Sequence, residues 1–535
     1  MDHKIQEKVN DPLGIDVLTM RDEDGQSTTG LNGQFVHSQQ LMDVLLRMRS
    51  RRTDRATFYT VCAEEYSDNP VQLAMLEEFE ESYTSDNALW WYTRDSFLYR
   101  ILNKALRVQN INILFLLRFF IRHIYKKLIR DRCRSRMQVY RGQLMSTDEL
   151  NTLQHSIGEL ISINSFLSTT TDREIARSFL GNQSPADDLH RVLFEIDANP
   201  VVLGDRTMRP FADISQYSNF ANESEVLFML GSIFRLDGIQ DDDDGVSIIR
   251  MTLCGDDDND LKQLLKHMKK RTRPDLRSLG DVLKDMGKFN LAEQYFTRVL
   301  YESPLDDLSR GFLYYSLSVV SQSKSDNENS ISWLEKAIES FKRHGTPDCF
   351  NAGQLNNLIG EIHRLNSNYD EALESYNTAL SIYGSLTTEK REKMDMIYEN
   401  ISLIYQAQKK YLEALDIEEK CLSSRLEYLP AHHPDLGLSY ANLGIVHGCL
   451  GHHDLALEML QKSLKIRVKA LPPYHLDIGI NYQHIGLIYQ IKNESSIALK
   501  YFQMALSVFR QELSIHHANI IKCEQDIQRL QVGMV

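Results

Sequence analysis

In the second half of the chain an alanine–leucine pair returns every 42 residues: Ala372-Leu373, Ala414-Leu415, Ala456-Leu457 and Ala498-Leu499. Seven residues after each stands another small residue followed by leucine, at Ala379-Leu380, Cys421-Leu422, Ser463-Leu464 and Ala505-Leu506. A spacing of seven is about two helical turns, so both small positions lie on one stripe of one helix. Small side chains on that stripe let a second helix cross at close range. A helix pair repeated at fixed spacing buries its apolar face only by stacking on its neighbours, which dictates an α-solenoid. Looser copies run from Ala292 to Leu300 and from Ser330 to Ile338. Six repeats and a capping helix from about Ala518 therefore make residues 275–535 an all-α repeat domain.

The copy from Leu429-Pro430-Ala431-His432-His433-Pro434-Asp435 through Leu464 resembles the 42-residue tetratricopeptide repeat of kinesin light chains. That resemblance implies a protein or peptide bound along a continuous groove. Asn400 and Asn442 share one repeat position. In related repeats such a position bonds a peptide backbone; the plainer reading is two ordinary exposed helix residues. The pairs His432-His433, His452-His453 and His516-His517 read as turn residues between helices, because no carboxylate or cysteine completes a metal set. No metal is expected.

The 535 residues exceed one core, and the repeats leave the first half as a separate unit. Residues 1–37 are polar and dotted with glycine, and a mobile segment is expected there. Helices are expected from Ser38 to Arg130, with Leu41, Leu45 and Met48 on one buried face. Strands follow at 137–140, 163–169, 191–197, 225–229, 232–236 and 247–253, with a helix over Asp172–Leu180 capped by Thr171 or Asp172. A helical lobe ahead of many short strands predicts an α+β domain with a largely antiparallel sheet over residues 38–270. The acid runs 241–244 and 256–260 read as solvated loops.

Charge excludes some partners. The net charge is −14, and a nucleic-acid surface needs a net basic footprint. One stretch, Arg118 to Arg141, carries nine bases against Asp131 alone. It reads as a solvated helix face or as an electropositive wall beside a pyrophosphate. The longest apolar run, Ile111 to Ile121, is interrupted by Arg118 and too short to cross a bilayer. The N-terminus lacks a hydrophobic signal region, and the seven cysteines form neither a disulfide framework nor a Cys-x-x-Cys site. An intracellular, cytoplasmic protein is expected.

Three short motifs carry the chemistry. Gln138-Val139-Tyr140-Arg141-Gly142 is a β-prone run ending in arginine and glycine. Ser165-Phe166-Leu167-Ser168-Thr169-Thr170-Thr171 turns polar at Ser168. Asn222-Glu223-Ser224-Glu225 leads into the apolar run Val226 to Phe234. In a strand, residues two apart share a face, so Glu223 and Glu225 look into one cleft or face water together at a frayed strand start. Arginine, serine and Glu-x-Glu in this order resemble the Arg-Ser-Glu signature of the cholera-toxin-like and ecto-type mono-ADP-ribosyltransferases, over about Leu89 to Leu253. Thr170 replaces the last serine of the usual Ser-Thr-Ser.

The resemblance implies that the domain cleaves NAD and transfers a single ADP-ribose, NAD being substrate. Glu225 then stabilises the oxocarbenium-like ribose and bonds its 2′-hydroxyl, Ser168 orients Glu225 and the ribose, and Arg141 and Gly142 hold the NAD phosphates and carboxamide. Glu223 then grips an arginine acceptor, and the segment from Asp213 to Asn222, with Tyr217 and Phe220, presents the target protein. An arginine at position 141, where polymer-forming relatives carry histidine, argues against polymer synthesis. Two alternatives stay open: an adaptor with an inactive transferase domain, and an NAD glycohydrolase that passes ribose to water.

Overall fold

The structure is a computed structural model that describes residues 15–18, 33–181, 188–204, 207–218, 224–255, 274–302, 304–344, 349–384, 391–429, 431, 433–472, 474–513 and 517–533. It divides into one compact unit built on residues 35–275 and another on residues 276–535. Glu223, Phe220, His432, His516 and the second acid run lie outside the described residues.

Among the described residues the first unit has six helices ahead of most of its strands: α1 (Gly33–Arg47), α2 (Arg52–Glu65), α3 (Pro70–Ser82), α4 (Ala88–Thr93), α5 (Phe97–Arg107) and α6 (Ile111–Arg130). Local signals set their starts. Asn69 accepts from Gln72 N ahead of Pro70, and Asn110 accepts from Ile113 N, each at 3.2 Å. Their shared core is aromatic: Phe58, Phe79, Trp91, Phe97, Phe119 and Phe120 meet at edge-to-face and tilted angles. Arg118, in the middle of the apolar face of α6, is buried against Asp54 of α2 and also donates to Arg49 O at 3.1 Å. A charge this deep is tolerated only because it is paired and hydrogen-bonded. Among the described residues no helix is long and apolar enough to cross a membrane.

Nine described strands, one of them ahead of the helices, form a single sheet: β1 (Ile15–Leu18), β2 (Met137–Ser146), β3 (Leu160–Ile163), β4 (Leu167–Thr170), β5 (Leu189–Ala198), β6 (Phe211–Asp213), β7 (Glu225–Phe228), β8 (Ser232–Asp241) and β9 (Ser247–Leu253). Their order is β1-β3-β8-β9-β5-β2-β4-β7-β6, and every neighbouring pair is antiparallel except β5 with β9. Two short helices accompany the sheet, α7 (Thr147–Gln154) behind the Ser146–Glu149 capping box and α8 (Arg173–Ser178) behind Asp172, whose side chain accepts from Glu174 N and Ile175 N.

Two expectations change here, and a third gains an exception. The N-terminal segment is not mobile throughout: Ile15–Leu18 form the edge strand β1, paired in register with β3. Buried polar bonds hold it there, since Asn164 Nδ2 donates to Asp16 Oδ2 at 2.6 Å and Ser162 Oγ to Asn164 Oδ1 at 3.1 Å. The run 163–169 is two strands, because the chain leaves β8 after Ile163 and takes up β2 and β7 from Leu167 onward. In the acid run 241–244, Asp241, Asp243 and Asp244 are exposed as a solvated loop would have them, and the exception is Asp242, which accepts from Asp244 N and Val246 N and pairs with Arg177 at 2.8 Å.

Among its described residues the second unit has six helix pairs: α9 (Leu276–Asp285) with α10 (Phe289–Glu302), α11 (Asp307–Ser323) with α12 (Asn327–His344), α13 (Cys349–Leu365) with α14 (Tyr369–Gly384), α15 (Arg391–Ala407) with α16 (Tyr411–Tyr428), α17 (Pro434–Cys449) with α18 (His453–Ala470), and α19 (Leu476–Ile491) with α20 (Ser495–Glu512). A final helix, α21 (Ala518–Gly533), packs behind α20. Ser330, Ala372, Ala414, Ala456 and Ala498 are wholly buried, as are Ala337, Ala379, Cys421, Ser463 and Ala505 seven residues on. The partner helix supplies a third small position, Ser318, Gly360, Ser402, Gly444 and Gly486, again 42 residues apart. A Cβ on Gly360 would sit 2.7 Å from the Tyr376 ring, and one on Gly486 2.9 Å from Phe502. Close crossing is thus written into three rows of small residues.

Three histidines stand at turns between helices. His433, His475 and His517, again 42 apart, each accept through Nδ1 from the backbone N–H two residues on, at 3.2 Å. Among the described residues no cluster of three or more His, Cys, Asp or Glu could hold a metal.

One helix crossing buries a carboxylate. Glu418 of α16 is 0% exposed, with Ser402, Glu399, Arg425 and Asn442 around it. Burial pushes it up to about 7; Ser402, Asn442 and Arg425 pull it down, and Glu399 adds to the rise. A folded-state value above the unfolded one means the folded form binds the proton more tightly. Stability from this group is therefore full below the ordinary carboxylate range and is lost as pH rises toward 7, by on the order of 2–3 kcal/mol. Glu418→Gln is expected to raise the melting temperature at pH 8 and to change it little at pH 4, read by thermal unfolding across pH.

Candidate active site

Strands β2, β4 and β7 lie side by side, and this brings three distant segments together. Tyr140 is opposite Thr170, and Thr170 is opposite Glu225. Ser168, two residues before Thr170, is a diagonal neighbour of Glu225. Its Oγ donates to Glu225 Oε1 at 2.5 Å. Arg141 on β2 donates from Nη1 to Ser168 O at 3.0 Å and from Nε to Gln143 Oε1 at 3.1 Å. Arg141, Gly142, Ser168 and Glu225 line one cleft, with Tyr140 and Thr170 beside them and Ile175 and Phe179 from the α8 segment. Glu225 is 3% exposed. A carboxylate this buried is kept by its hydrogen bonds. Of the five residues singled out in the sequence, four share this cleft, and Glu223 lies outside the described residues.

Gly142 has a steric reason to be glycine. A Cβ there would fall 2.1 Å from Ala176 O and 3.1 Å from Leu180 Cγ, so α8 rests directly on the backbone of β2. Gly142→Ala is expected to push α8 off the strand and to cost about 1–3 kcal/mol in the first unit. Thermal unfolding checks this, and an unchanged melting temperature would contradict the close approach.

Two further side chains hold Glu225 that the sequence did not single out. Ser218 Oγ donates to Oε2 at 3.1 Å, and Ser215 Oγ accepts from Glu225 N at 3.1 Å. Ser215 in turn is fixed by Asp213, which accepts from its N at 2.9 Å and its Oγ at 2.6 Å. An Asp-x-Ser turn signal stands at 213–215, but nothing in its spacing says which strand it serves. Tyr217 donates to Asp131 Oδ2 at 2.8 Å and accepts from Arg130 Nη2 at 3.0 Å.

The basic stretch does not line this cleft as a wall. Arg118 is spent on Asp54, Lys127 lies 3.3 Å from Asp86, Arg130 pairs with Asp131 at 3.0 Å, and Arg136 pairs with Asp197. Of the nine bases, only Arg141 lines the cleft with Ser168 and Glu225.

Comparison with known proteins bears first on the helix pairs. Tetratricopeptide-repeat profiles match residues 278–304 and 393–469, and the profile of the soluble NSF attachment protein, SNAP, matches residues 307–428. The helix pairs are tetratricopeptide repeats. Among solved structures, the tetratricopeptide-like repeats of a putative kinesin light chain from Podosopora anserina are 15% identical, cover 39% of this chain and 98% of their own, and give a TM-score of 0.31. The ADP-ribosyltransferase Vis, in complex with the M6 inhibitor, is 21% identical over 38% of this chain and 86% of its own, with a TM-score of 0.26. The C3 exoenzyme of Clostridium limosum is 17% identical over 32% of this chain and 85% of its own, with a TM-score of 0.25. No curated protein matches the chain. In chain order the tetratricopeptide repeats thus follow a first unit of helices and a mixed sheet that carries the candidate cleft.

Proposed function

We propose that this chain is a mono-ADP-ribosyltransferase that moves one ADP-ribose from NAD to arginine side chains of target proteins, its first unit being the catalytic fold and its repeats selecting the target. The observation that carries the reading is the hydrogen bond from Ser168 to the buried Glu225, beside Arg141, in one cleft. Breaking the nicotinamide–ribose bond leaves positive charge on the sugar, and a fixed carboxylate lowers the barrier where that charge develops. Glu225 supplies the charge, and Ser168 orients it. Arg141 brings a planar guanidinium, the group best suited to a pyrophosphate. Glu223, two residues from Glu225, supplies a second carboxylate for the guanidinium acceptor. The tetratricopeptide repeats bind a protein or peptide segment of the target along their groove. Among the described residues cysteines 62, 133, 421, 449 and 523 are free thiols, which supports action inside a reducing cytoplasm.

Incubation of the full chain with labelled NAD and a small guanidine acceptor tests the reading. Release of nicotinamide together with an ADP-ribosylated guanidine is the expected result. Nicotinamide without the adduct would make the chain an NAD glycohydrolase, and neither product would leave the repeats as an adaptor on an inactive domain.

A further inference from the structure

Glu225 is held from both sides. Ser168 donates to Oε1 and Ser218 to Oε2. The last torsion of a glutamate side chain is soft, and one hydrogen bond leaves the carboxylate free to rock about it. Two donors on opposite oxygens fix the plane. Ser218 belongs to a turn that is itself bound to the strand it serves: Ile214 N donates to Glu225 O at 2.9 Å, and Ser218 N donates to Ile214 O at 3.0 Å. On its far side the turn is tied to the end of α6, where Tyr217 bonds Asp131 and Arg130 and where the Lys127 ammonium lies 5.1 Å from the tyrosine ring.

We propose that Ser218 is a positioning residue for Glu225, fixing the plane of its carboxylate, and that the contact of Tyr217 with Asp131 and Arg130 holds Ser218 in place. The inference rests on the reading that Glu225 acts on NAD. The turn from Ile214 to Ser218 thereby does two jobs: it bonds the backbone at the start of β7, and it locks the carboxylate that begins that strand. A carboxylate rotated out of plane still binds substrate but presents its charge poorly to the developing cation, so the effect falls on turnover rather than on binding.

The experiment uses the full chain with Ser218→Ala, Ser218→Thr and Tyr217→Phe, and takes two readouts. One is kcat and KM for NAD; the other is the side-chain carboxyl resonance of Glu225 in protein grown with 13C-labelled glutamate. Ser218→Ala is expected to lower kcat roughly ten-fold, the scale of a lost charge-assisted hydrogen bond, with KM nearly constant and the resonance displaced. Ser218→Thr keeps the hydroxyl and is expected to restore both. Tyr217→Phe is expected to move both in the same direction by less. Unaltered kcat and resonance in Ser218→Ala, or equal losses in the alanine and threonine variants, would overturn the proposal. The resonance does not depend on turnover. In a chain that releases no nicotinamide, a resonance displaced by alanine and restored by threonine still supports the clamp, while the functional reading alone fails.

Discussion

Glu225→Gln is expected to reduce NAD cleavage by about 100- to 1,000-fold, the range seen when a preorganised electrostatic group is removed from an active site. The substitution keeps the volume of the side chain and removes its charge. The amide can still meet Ser168 and Ser218 with its oxygen and nitrogen, so β7 has no steric reason to move. What is lost is negative charge at 3% exposure, where little water screens it from the ribose. Nicotinamide release under saturating NAD measures the effect, with a thermal melt of the same sample to confirm folding. A folded variant that retains more than half of wild-type turnover would remove Glu225 from the mechanism.

Glu223→Gln is expected to separate two activities. Transfer to a guanidine acceptor should fall below detection, while hydrolysis of NAD should persist at a measurable rate. Water needs neither a grip nor partial discharge before attack, whereas a guanidinium needs both, and a carboxylate provides them. The two products, ADP-ribosylated guanidine and free ADP-ribose, are separated and quantified from one reaction. Parallel loss of both would assign Glu223 to the same step as Glu225, and parallel survival would assign it no part.

The repeats were fully legible because their constraint is local and periodic. Each small residue answers to a helix a few residues away, and the 42-residue spacing carries the rule from pair to pair. The first unit was legible piece by piece. Asp172 announces a helix start in its own neighbourhood, and Arg141, Ser168 and Glu225 stand on runs that read as strands. Long-range partners left weaker traces. Ile15–Leu18 is a strand only because β3 offers it an edge, and nothing in Ile-Asp-Val-Leu says so. The break at 164–166 reflects a change of partner within the sheet, which a β-prone sequence does not record. Ser218 looks like any loop serine until the strand seven residues later folds back beside it. Arg118 reads as the solvent face of a basic helix, and only the position of Asp54 some sixty residues earlier makes it an internal cation.

The place of β9 has a consequence for how the chain matures. It is the last of the described strands in sequence, yet it lies inside the sheet, between β8 on one side and β5 on the other. Before it arrives, β1-β3-β8 and β5-β2-β4-β7-β6 share no hydrogen-bonded strand pair. Emerging from a ribosome, the first unit must wait for residue 253 with two interior strand edges open, and such edges are templates for pairing with another chain. The repeats gain their contacts from near neighbours and can form as they appear. A nascent chain halted before Ser247 is therefore the species most in need of a chaperone, and a stop there would yield aggregate rather than a smaller folded unit.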